Sequence, residues 1–567
     1  MTTLNTFLTT LRNYQRLAFR LVLKRLQEGC IRMYVSLPTG TGKSLVLAAL
    51  AADASTRERV LVLVHLQDLV IQLTQTLTQV ELDVGMVMQG HRHVDHRVLV
   101  ATPQSLLAMW PDFIEASDIP VTTVFIDEAH HAVPGSLYEQ ILIALERAFP
   151  QVSITAIGFT ATPYRNDAKS MLSLLPTCAF IREIPEMIKE KWLAPLTWVP
   201  LSLDIDLSSL PTTSQAGEFD YSEPALTQTM VHTALMEELV RQVIPHLEQR
   251  PTLVFAMSIE HAELLADLFR QAGYSAVAVS GRTSRAQRQR VYADWRAGTT
   301  QIVCNCNLLT EGFDFPEIAA LVIARPTLSP NFYMQMLGRG MRTAPGKQDC
   351  LVIDVMGNNP DLSHQIVLPQ ILGVSTQEES HVLKGTQAPS PRPAEALLKQ
   401  IMGANVQRGL SLLNPLGASP YRWVSSHHGY FAMVSSDVAV IVEPDKSGSG
   451  LYHARRYTLK PGQEPIHQWI ERTNLPLRQQ VALVHEATNA LYHKPLGSKD
   501  APWHDEPASE KQLATLKRMY PQWATQLESV SLTKGEASDA MNCLLLRKTL
   551  AHPPSPDVKG NETEKDR

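Results

Sequence analysis

The sequence has few of the features that mark secreted, membrane-spanning or zinc-binding proteins. Its 567 residues include only six cysteines, scattered at positions 30, 178, 304, 306, 350 and 543, so the pattern does not indicate a disulfide framework. Cys304 and Cys306 form a C-x-C pair inside an apolar run, and no second Cys/His pair follows at zinc spacing, which favours strand residues over zinc ligands. No apolar run reaches the roughly 18 residues that a membrane span needs.

An excess of charge of one sign is also lacking. The net charge is −5, which provides no global attraction to a polyanion, so any phosphate contact must come from a local basic patch. The N-terminal stretch MTTLNTFLTTLRNYQR lacks a charged segment followed by an apolar one, and we therefore expect no signal peptide. Together these features predict a soluble cytoplasmic protein with no membrane partner.

What the sequence does have is globular composition, with 44% hydrophobic and 19% charged residues, and a length that favours three or four domains. Short β-branched runs alternate with helical stretches, twice in succession. Such apolar runs are typical of parallel strands covered by helices on both faces, so the sequence predicts an α/β fold with two tandem units. The predicted boundaries are 1–200 for the first unit, 201–224 for a connector, 225–375 for the second unit, 376–420 for a linker, 421–460 for a small antiparallel β unit, 461–550 for a helical accessory region and 551–567 for a disordered tail.

Residues 37–44 (LPTGTGKS) follow a predicted strand and open a helical run, which is the context of a phosphate-binding P-loop. Its glycines let backbone N–H groups converge, Lys43 would reach the β- and γ-phosphates of ATP, and Ser44 would coordinate Mg²⁺. The strict pattern has glycine where this chain has Leu37, so a chance glycine-rich turn is the alternative interpretation. The predicted nucleotide-binding residues of the loop are Pro38, Thr39, Gly40, Thr41, Gly42, Lys43 and Ser44.

Residues 124–130 (VFIDEAH) form an apolar run that ends in two adjacent carboxylates. Strands of this kind bring their carboxyl ends to the sheet edge where α/β proteins bind ligands. Asp127 could hold Mg²⁺ through water, and Glu128 could polarise the water that attacks a phosphate. The alternative is a solvated helix start, since acidic residues favour the first turn. The P-loop upstream favours the catalytic interpretation.

These two motifs, in this order, resemble the DEAD/DEAH-box helicases of superfamily 2, in the branch with transcription-repair translocases and restriction-enzyme motor subunits. The resemblance covers most of residues 10–360 and implies two RecA-like lobes that close on one ATP with Mg²⁺. The further segments that carry it are 12–15 (RNYQ), 64–72 (VHLQDLVIQ), 101–106 (ATPQSL), 158–163 (GFTATP), 309–314 (LTEGFD) and 333–342 (YMQMLGRGMR).

The resemblance also implies roles for individual residues. Arg339 and Arg342 are three positions apart, so they share a face if helical, and a guanidinium matches phosphate oxygens. A surface helix with two solvated arginines is the alternative. Beyond the P-loop and the paired carboxylates, the implied residues are Gln15 for adenine, Gln335 for the nucleophilic water, Arg339 and Arg342 as arginine fingers, Gly312 and Asp314 for the ribose and phosphates, and Thr102 and Thr310 for the nucleic-acid backbone.

A local excess of arginine follows in the second unit, opposed only by Asp294. Arg285 and Arg288 recur at near-helical spacing within it, which suggests a phosphate-contacting edge on an otherwise acidic chain. A solvated helix face explains the same pattern equally well, and both interpretations stay open. The residues of this cluster are Arg282, Arg285, Arg288, Arg290 and Arg296.

The sequence therefore predicts an ATP-dependent nucleic-acid helicase or translocase that acts on DNA, with a protein partner possible through its C-terminal region. The alternatives are a double-stranded DNA translocase or remodeller without strand separation, an RNA helicase, a P-loop phosphotransferase or switch, and a DNA-binding scaffold with a degenerate ATP site. Trp423, Tyr430 and Phe431 could stack bases, although such residues more often form the core of a small sheet. Oligomeric state and polarity are not predicted.

Overall fold

The computed structural model describes two compact units, Met1–Leu372 and Gly373–Arg567. Each unit also contains segments outside the described residues. The described residues are 2–116, 119–161, 171–215, 218–306, 315–357, 366–368, 423–426, 429–434, 438–445, 447–458, 466–488, 506–534, 537–538 and 540–541.

The first lobe of the first unit is built on an eight-stranded sheet in the order β4-β3-β5-β2-β6-β7-β1-β8. All its neighbouring strands pair in parallel except β3 and β4, and β1, β2, β5 and β6 are buried along nearly their whole length, as expected for a sheet covered on both faces. The strands are β1 (Arg32–Ser36), β2 (Arg59–Leu63), β3 (Val84–Met88), β4 (His91–Arg92), β5 (Val98–Ala101), β6 (Val121–Ile126), β7 (Thr155–Thr160) and β8 (Thr177–Ile181).

The helices of this lobe follow the strands, and the one after the P-loop is buried almost throughout because Ala and Leu fill its faces. The α-helix after β6 is capped at its N-terminus by Ser136, whose side chain accepts a hydrogen bond from the Glu139 amide. The helices are α1 (Thr2–Thr10), α2 (Asn13–Gln27), α3 (Lys43–Ser55), α4 (Gln67–Thr78), α5 (Pro103–Ala108), α6 (Trp110–Glu115), α7 (Leu137–Ala148) and α8 (Ile184–Lys189).

The second lobe has a six-stranded, fully parallel sheet in the order β13-β14-β12-β15-β16-β9. The predicted end of the first unit at residue 200 falls inside the edge strand β9 of this sheet, and that boundary is wrong because β9 pairs with β16 over seven residues. The strands are β9 (Leu196–Ser202), β12 (Thr252–Ala256), β13 (Ala276–Val279), β14 (Ile302–Cys306), β15 (Ala320–Ile323) and β16 (Cys350–Met356), and a separate hairpin is formed by β10 (Thr212–Gln215) and β11 (Glu218–Tyr221).

The predicted connector 201–224 is also not a plain linker. Its apolar residues Leu203, Ile205 and Leu207 are buried in the core of the second lobe, so the segment folds as part of that lobe. The helices of the lobe are α9 (Glu223–Met230), α10 (Thr233–Leu247), α11 (Ile259–Gln271), α12 (Arg285–Arg296) and α13 (Pro330–Gly340).

The second unit contains a five-stranded antiparallel sheet in the order β17-β18-β19-β20-β21. Trp423 and Phe431 are buried in it, which confirms the core interpretation of these aromatics. The prediction that 461–550 is helical is wrong for β21, a strand held by its pairing with β20. The elements are β17 (Trp423–Ser426), β18 (Gly429–Met433), β19 (Val438–Pro444), β20 (Tyr452–Thr458), β21 (Ile466–Leu475), and the helices α14 (Leu477–Thr488), α15 (Glu510–Met519) and α16 (Ala524–Glu528).

Several predicted features lie outside the described residues. These are the linker 376–420, the tail 551–567, and Thr310, Gly312 and Asp314 of the segment 309–314. In the part of the chain that the structure describes, no helix is long and apolar enough to cross a membrane.

Candidate active site between two lobes

The P-loop turns between β1 and α3 on two glycines. Gly40 and Gly42 have φ of +85° and +79°, a left-handed conformation that side chains rarely adopt. The Thr41 hydroxyl closes the turn by donating to the Pro38 carbonyl at 2.6 Å. Lys43 and Ser44 then begin α3, so the loop directs a helix N-terminus towards the cleft, as anion binding requires.

Gln15 lies directly beside this loop. Its side-chain amide donates to the Thr41 carbonyl at 2.9 Å and its oxygen accepts from the Arg12 amide at 2.8 Å. A Cβ added at Gly42 would lie 2.6 Å from Gln15 Nε2 and would displace that amide, while the φ of +79° itself favours glycine at this position. Tyr14, which the sequence analysis did not assign, donates its hydroxyl to the same Thr41 carbonyl at 2.6 Å. The start of α2 therefore supports the phosphate loop from behind.

The paired carboxylates follow β6 at the carboxyl edge of the sheet. Glu128 has a φ of +46° and ψ of +54°, so the chain turns sharply there, and its side chain comes within 3.5 Å of Lys43 Nζ. The Glu128 amide donates to Asp127 Oδ1 at 3.1 Å. The structure thus brings the predicted Lys43, Asp127 and Glu128 together in one cluster, in which Lys43 and Asp127 are buried and Glu128 is half-buried.

The electrostatics of this cluster favour a cation. Burial and the neighbouring Glu128 raise the pKa of Asp127 to about 6, while Lys43 opposes the rise. Two carboxylates that share one lysine leave negative charge for a metal to neutralise. Within the described ranges, no three His, Cys, Asp or Glu side chains converge as a metal site, so a cation here would depend on phosphate oxygens for further ligands.

The second lobe delivers α13 to the same cleft. Gly338 packs so closely on the P-loop that an added Cβ would lie 2.3 Å from Thr39 Cγ2. A Cβ added at Gly40 would lie 3.0 Å from Arg342 Cγ. The cleft has a volume of about 420 Å³. Its lining includes Gln15, Thr39, Gly40, Thr41, Gly42, Lys43, Ser44, Asp127, Glu128, Gln335, Arg339 and Arg342.

Part of this lining and of its surroundings was not predicted from the sequence. Arg12 lines the cleft, and its guanidinium lies 5.1 Å from the centre of the Trp192 ring. Behind the carboxylates, His130 Nδ1 lies 3.2 Å from Thr160 Oγ1 and 3.5 Å from Glu128 Oε2. Arg12 could have been proposed from its place in the segment 12–15, whereas the contact with Trp192 joins residues far apart in the chain.

The predicted nucleic-acid contacts that the structure describes, Thr102, Arg285 and Arg288, do not line the cleft. Thr102 is buried as the residue before α5, with its hydroxyl 2.9 Å from Ser105 Oγ. Arg285 and Arg288 lie on α12, where Arg285 is exposed and Arg288 is half-buried near Tyr292. Pro38, the remaining predicted loop residue, accepts the Thr41 hydroxyl through its carbonyl.

Three protein families match separate parts of the chain. "Type III restriction enzyme, res subunit" matches residues 8–165, and "Helicase conserved C-terminal domain" matches residues 234–344. The third, "Mitochondrial helicase Irc3, C-terminal domain", matches residues 416–550. The first two matches contain the P-loop, the paired carboxylates and α13, and the third contains the antiparallel sheet.

Similar proteins cover the motor region or most of the chain. A Saccharomyces cerevisiae protein provisionally named ATP-dependent helicase IRC3 is 28% identical over 65% of this chain, and the match spans 54% of that protein. A Schizosaccharomyces pombe protein provisionally named mitochondrial ATP-dependent helicase irc3 is 25% identical, with 94% of this chain and 90% of that protein covered.

Among solved structures, a fragment provisionally assigned as an HsdR subunit of a type I restriction enzyme from Vibrio vulnificus is 21% identical, with a TM-score of 0.47. The match covers 63% of this chain and 67% of that fragment. An Escherichia coli subunit of the type I restriction enzyme EcoAI is 23% identical over 58% of this chain and 44% of that subunit. The motor region of this chain is therefore similar to ATP-dependent helicases and to the motor subunits of restriction enzymes.

Proposed function

We propose that the chain hydrolyses ATP in the cleft between its two lobes and uses the cycle to move along DNA. The observation that carries this proposal is the approach of Gly338 and Arg342 of the second lobe to the P-loop of the first. In a site that both lobes form, the rate of ATP hydrolysis depends on the distance between the lobes. The matches to helicase families support the same activity.

In this proposal the first lobe holds the triphosphate. Backbone N–H groups of the P-loop and the Lys43 ammonium bind the phosphate oxygens, and Gln15 reads the adenine edge. Glu128, held 3.5 Å from Lys43 and from His130, orients and polarises the attacking water. Lys43 also pairs with Glu128, so phosphate oxygens would compete for the ammonium and leave Glu128 as the base.

The residues around Asp127 fit Mg²⁺. The available donors are hard oxygens, those of the Asp127 carboxylate and the Ser44 hydroxyl. Burial and the neighbouring Glu128 raise the pKa of Asp127, so a nearby cation would stabilise its charged form. Asp127 and Ser44 would hold the ion, which would supply positive charge to neutralise the negative charge that develops during hydrolysis.

The second lobe supplies positive charge to the transition state. Arg339 is buried on α13 and Arg342 lies just beyond it, against Gly40. A guanidinium that stabilises the transferred phosphoryl group is worth roughly 10³–10⁵ in rate in related NTPases. Gln335, one turn earlier on the same helix, would help to orient the water. Lobe closure would then switch hydrolysis on, and hydrolysis would release the lobes.

DNA is the proposed track because the segments 12–15 and 127–130 resemble those of the DNA-acting branch. Thr102, Thr310, Arg285 and Arg288 are the proposed backbone contacts. Replacing both Arg285 and Arg288 with Ala should make DNA binding less sensitive to salt. The slope of the logarithm of the binding constant against the logarithm of the salt concentration should become less steep by about one for each phosphate that is no longer neutralised. The matched control replaces Arg241 and Arg270, two exposed arginines of the same lobe that are paired with carboxylates. An equal slope in both variants would refute the proposed role of Arg285 and Arg288.

The decisive test compares ATPase rates on single-stranded, duplex and forked DNA and on RNA at matched salt. Glu128→Gln should abolish turnover on each of them, while the control Glu146→Gln, an exposed carboxylate on α7, should leave turnover intact. Turnover indifferent to every polynucleotide would favour a phosphotransferase or switch instead. Strand displacement on forked DNA would then separate a helicase from a duplex translocase. The S. pombe relative is named mitochondrial, and a cytoplasmic location for this chain stays a prediction.

A further inference from the structure

Lys347 lies on the loop between α13 and β16, and its ammonium holds three backbone carbonyls. Nζ donates to the carbonyls of Pro316 at 3.0 Å, Gly340 at 2.6 Å and Arg342 at 2.8 Å. An ammonium has three N–H donors, so these bonds use its full capacity. One side chain thereby joins the end of the arginine-bearing helix to the chain that follows residues 309–314.

The carbonyl at the end of α13 needs such a partner. Gly340 is the last residue of α13, so its carbonyl is one of the four that have no acceptor role inside the helix. A cation at this end also interacts favourably with the helix dipole. Burial lowers the pKa of the Lys347 ammonium, which reflects the cost of taking that charge out of water. A lysine that only covered the surface would not be held in this way.

The position of Arg342 depends on this contact. Lys347 binds the carbonyl of Arg342, and the side chain of the same residue lies against the P-loop, where a Cβ added at Gly40 would be 3.0 Å from Arg342 Cγ. Release of the carbonyl would let the backbone at Arg342 shift, and the guanidinium would shift with it. Misplacement of a reacting group by about 1 Å can cost about 10² in rate.

We infer that Lys347 is a positioning residue that sets Arg342 for hydrolysis and connects it with the chain following residues 309–314. It acts through the backbone, because Lys347 is not among the described residues that line the cleft. This inference rests on the proposed role of Arg342. It extends that role, because the Lys347 ammonium binds the carbonyls of both Pro316 and Arg342. A displacement of the chain at Pro316 would therefore displace Arg342 as well. Stimulation by nucleic acid should therefore depend on Lys347.

The experiment measures kcat, KM for ATP and the ratio of DNA-stimulated to basal kcat in the full-length protein. Lys347→Met should lower stimulated kcat by about tenfold to a hundredfold and reduce the stimulation ratio, with KM changed by less than about threefold. Lys347→Arg should recover most of the rate, since a guanidinium can also donate to several carbonyls. If the Met variant does not fold, Lys347→Gln, which keeps two N–H donors, replaces it.

The matched control is Arg59→Met. Arg59 is a buried cation that also binds backbone carbonyls, those of Val94 and His96, but it lies in the first lobe and does not line the cleft. It should lower thermal stability as much as Lys347→Met does and leave the stimulation ratio unchanged. If both variants change the ratio equally, Lys347 is merely structural and the inference is overturned.

A double-mutant cycle with Arg342→Ala separates this inference from the proposed function. If Lys347 acts through Arg342, adding Lys347→Met to Arg342→Ala should cost less than about twofold in stimulated kcat. Full additivity would overturn the positioning role while leaving the arginine role intact. An Arg342→Ala variant with normal kcat would instead overturn the proposed function itself.

Discussion

The buried charge of Asp127 destabilises the folded first lobe, and a single substitution should remove this effect. The carboxyl is buried beside Glu128, and burial and that neighbour raise its pKa from 3.8 to about 6. Asp127→Asn keeps the shape of the side chain and removes its charge. We therefore expect the variant to be more stable than the wild-type protein at neutral pH and to lose ATPase activity.

The sign and size of the expected stability difference follow from the linkage between proton binding and folding. Because the pKa of Asp127 is raised in the folded state, the stability contributed by the protonated carboxyl is present below pH 3.8 and is lost as the pH rises through about 6. One pKa unit corresponds to about 1.4 kcal/mol, so the change from 3.8 to about 6 corresponds to roughly 3 kcal/mol. The advantage of Asp127→Asn should be near zero at acid pH and on the order of 3 kcal/mol at pH 8.

Native-state hydrogen exchange at β6 is the suitable assay, because it reports the opening free energy of the first lobe alone. Variant and wild-type rates are compared at each pH, so the intrinsic pH dependence of exchange cancels. Mg²⁺ with a non-hydrolysable ATP analogue should slow exchange in the wild-type protein far more than in Asp127→Asn. A variant that is equally or less stable at pH 8, or an advantage independent of pH, would refute the reasoning.

Three further substitutions test other contacts in the two lobes. Gly338→Ala should reduce kcat at least about tenfold, because the added Cβ would lie 2.3 Å from Thr39 Cγ2 and hold the lobes apart, and steady-state ATPase assays measure this loss. Tyr333→Phe removes the hydroxyl that donates to Asp354 at 2.8 Å and should lower the free energy of unfolding by about 1–3 kcal/mol, measured by urea denaturation. His130→Ala should lower kcat with little change in KM, since His130 contacts Glu128 and Thr160.

Local patterns in the sequence predicted the residues that meet in the cleft. The P-loop, the pair Asp127 and Glu128, and the arginines near α13 each belong to a contiguous segment with its own turn or helix signal. Their convergence follows from the α/β architecture, because ligand sites form at the carboxyl ends of parallel strands. The roles of these residues in catalysis stay proposals until the variants are measured.

Features that depend on pairing between distant segments were not predictable in this way. The segment of β9 contains Pro200, which argues against a strand, and the structure accommodates it because β9 is an edge strand. The segment of β21 is rich in polar residues that suit a helix, and its pairing with β20 decides otherwise. The contacts of Lys347 join residues up to 31 positions apart, for which no local pattern exists.

The placement of β9 restricts where the protein can be cut. The chain leaves the first lobe at β8 and, after α8, enters the second lobe's sheet at Leu196. A second lobe produced from residue 203 onwards would lack this strand and expose the backbone of β16 as a free, apolar edge. Unprotected edges of that kind recruit other strands, so the shortened lobe should self-associate, whereas one that starts before residue 196 should remain monodisperse in light scattering.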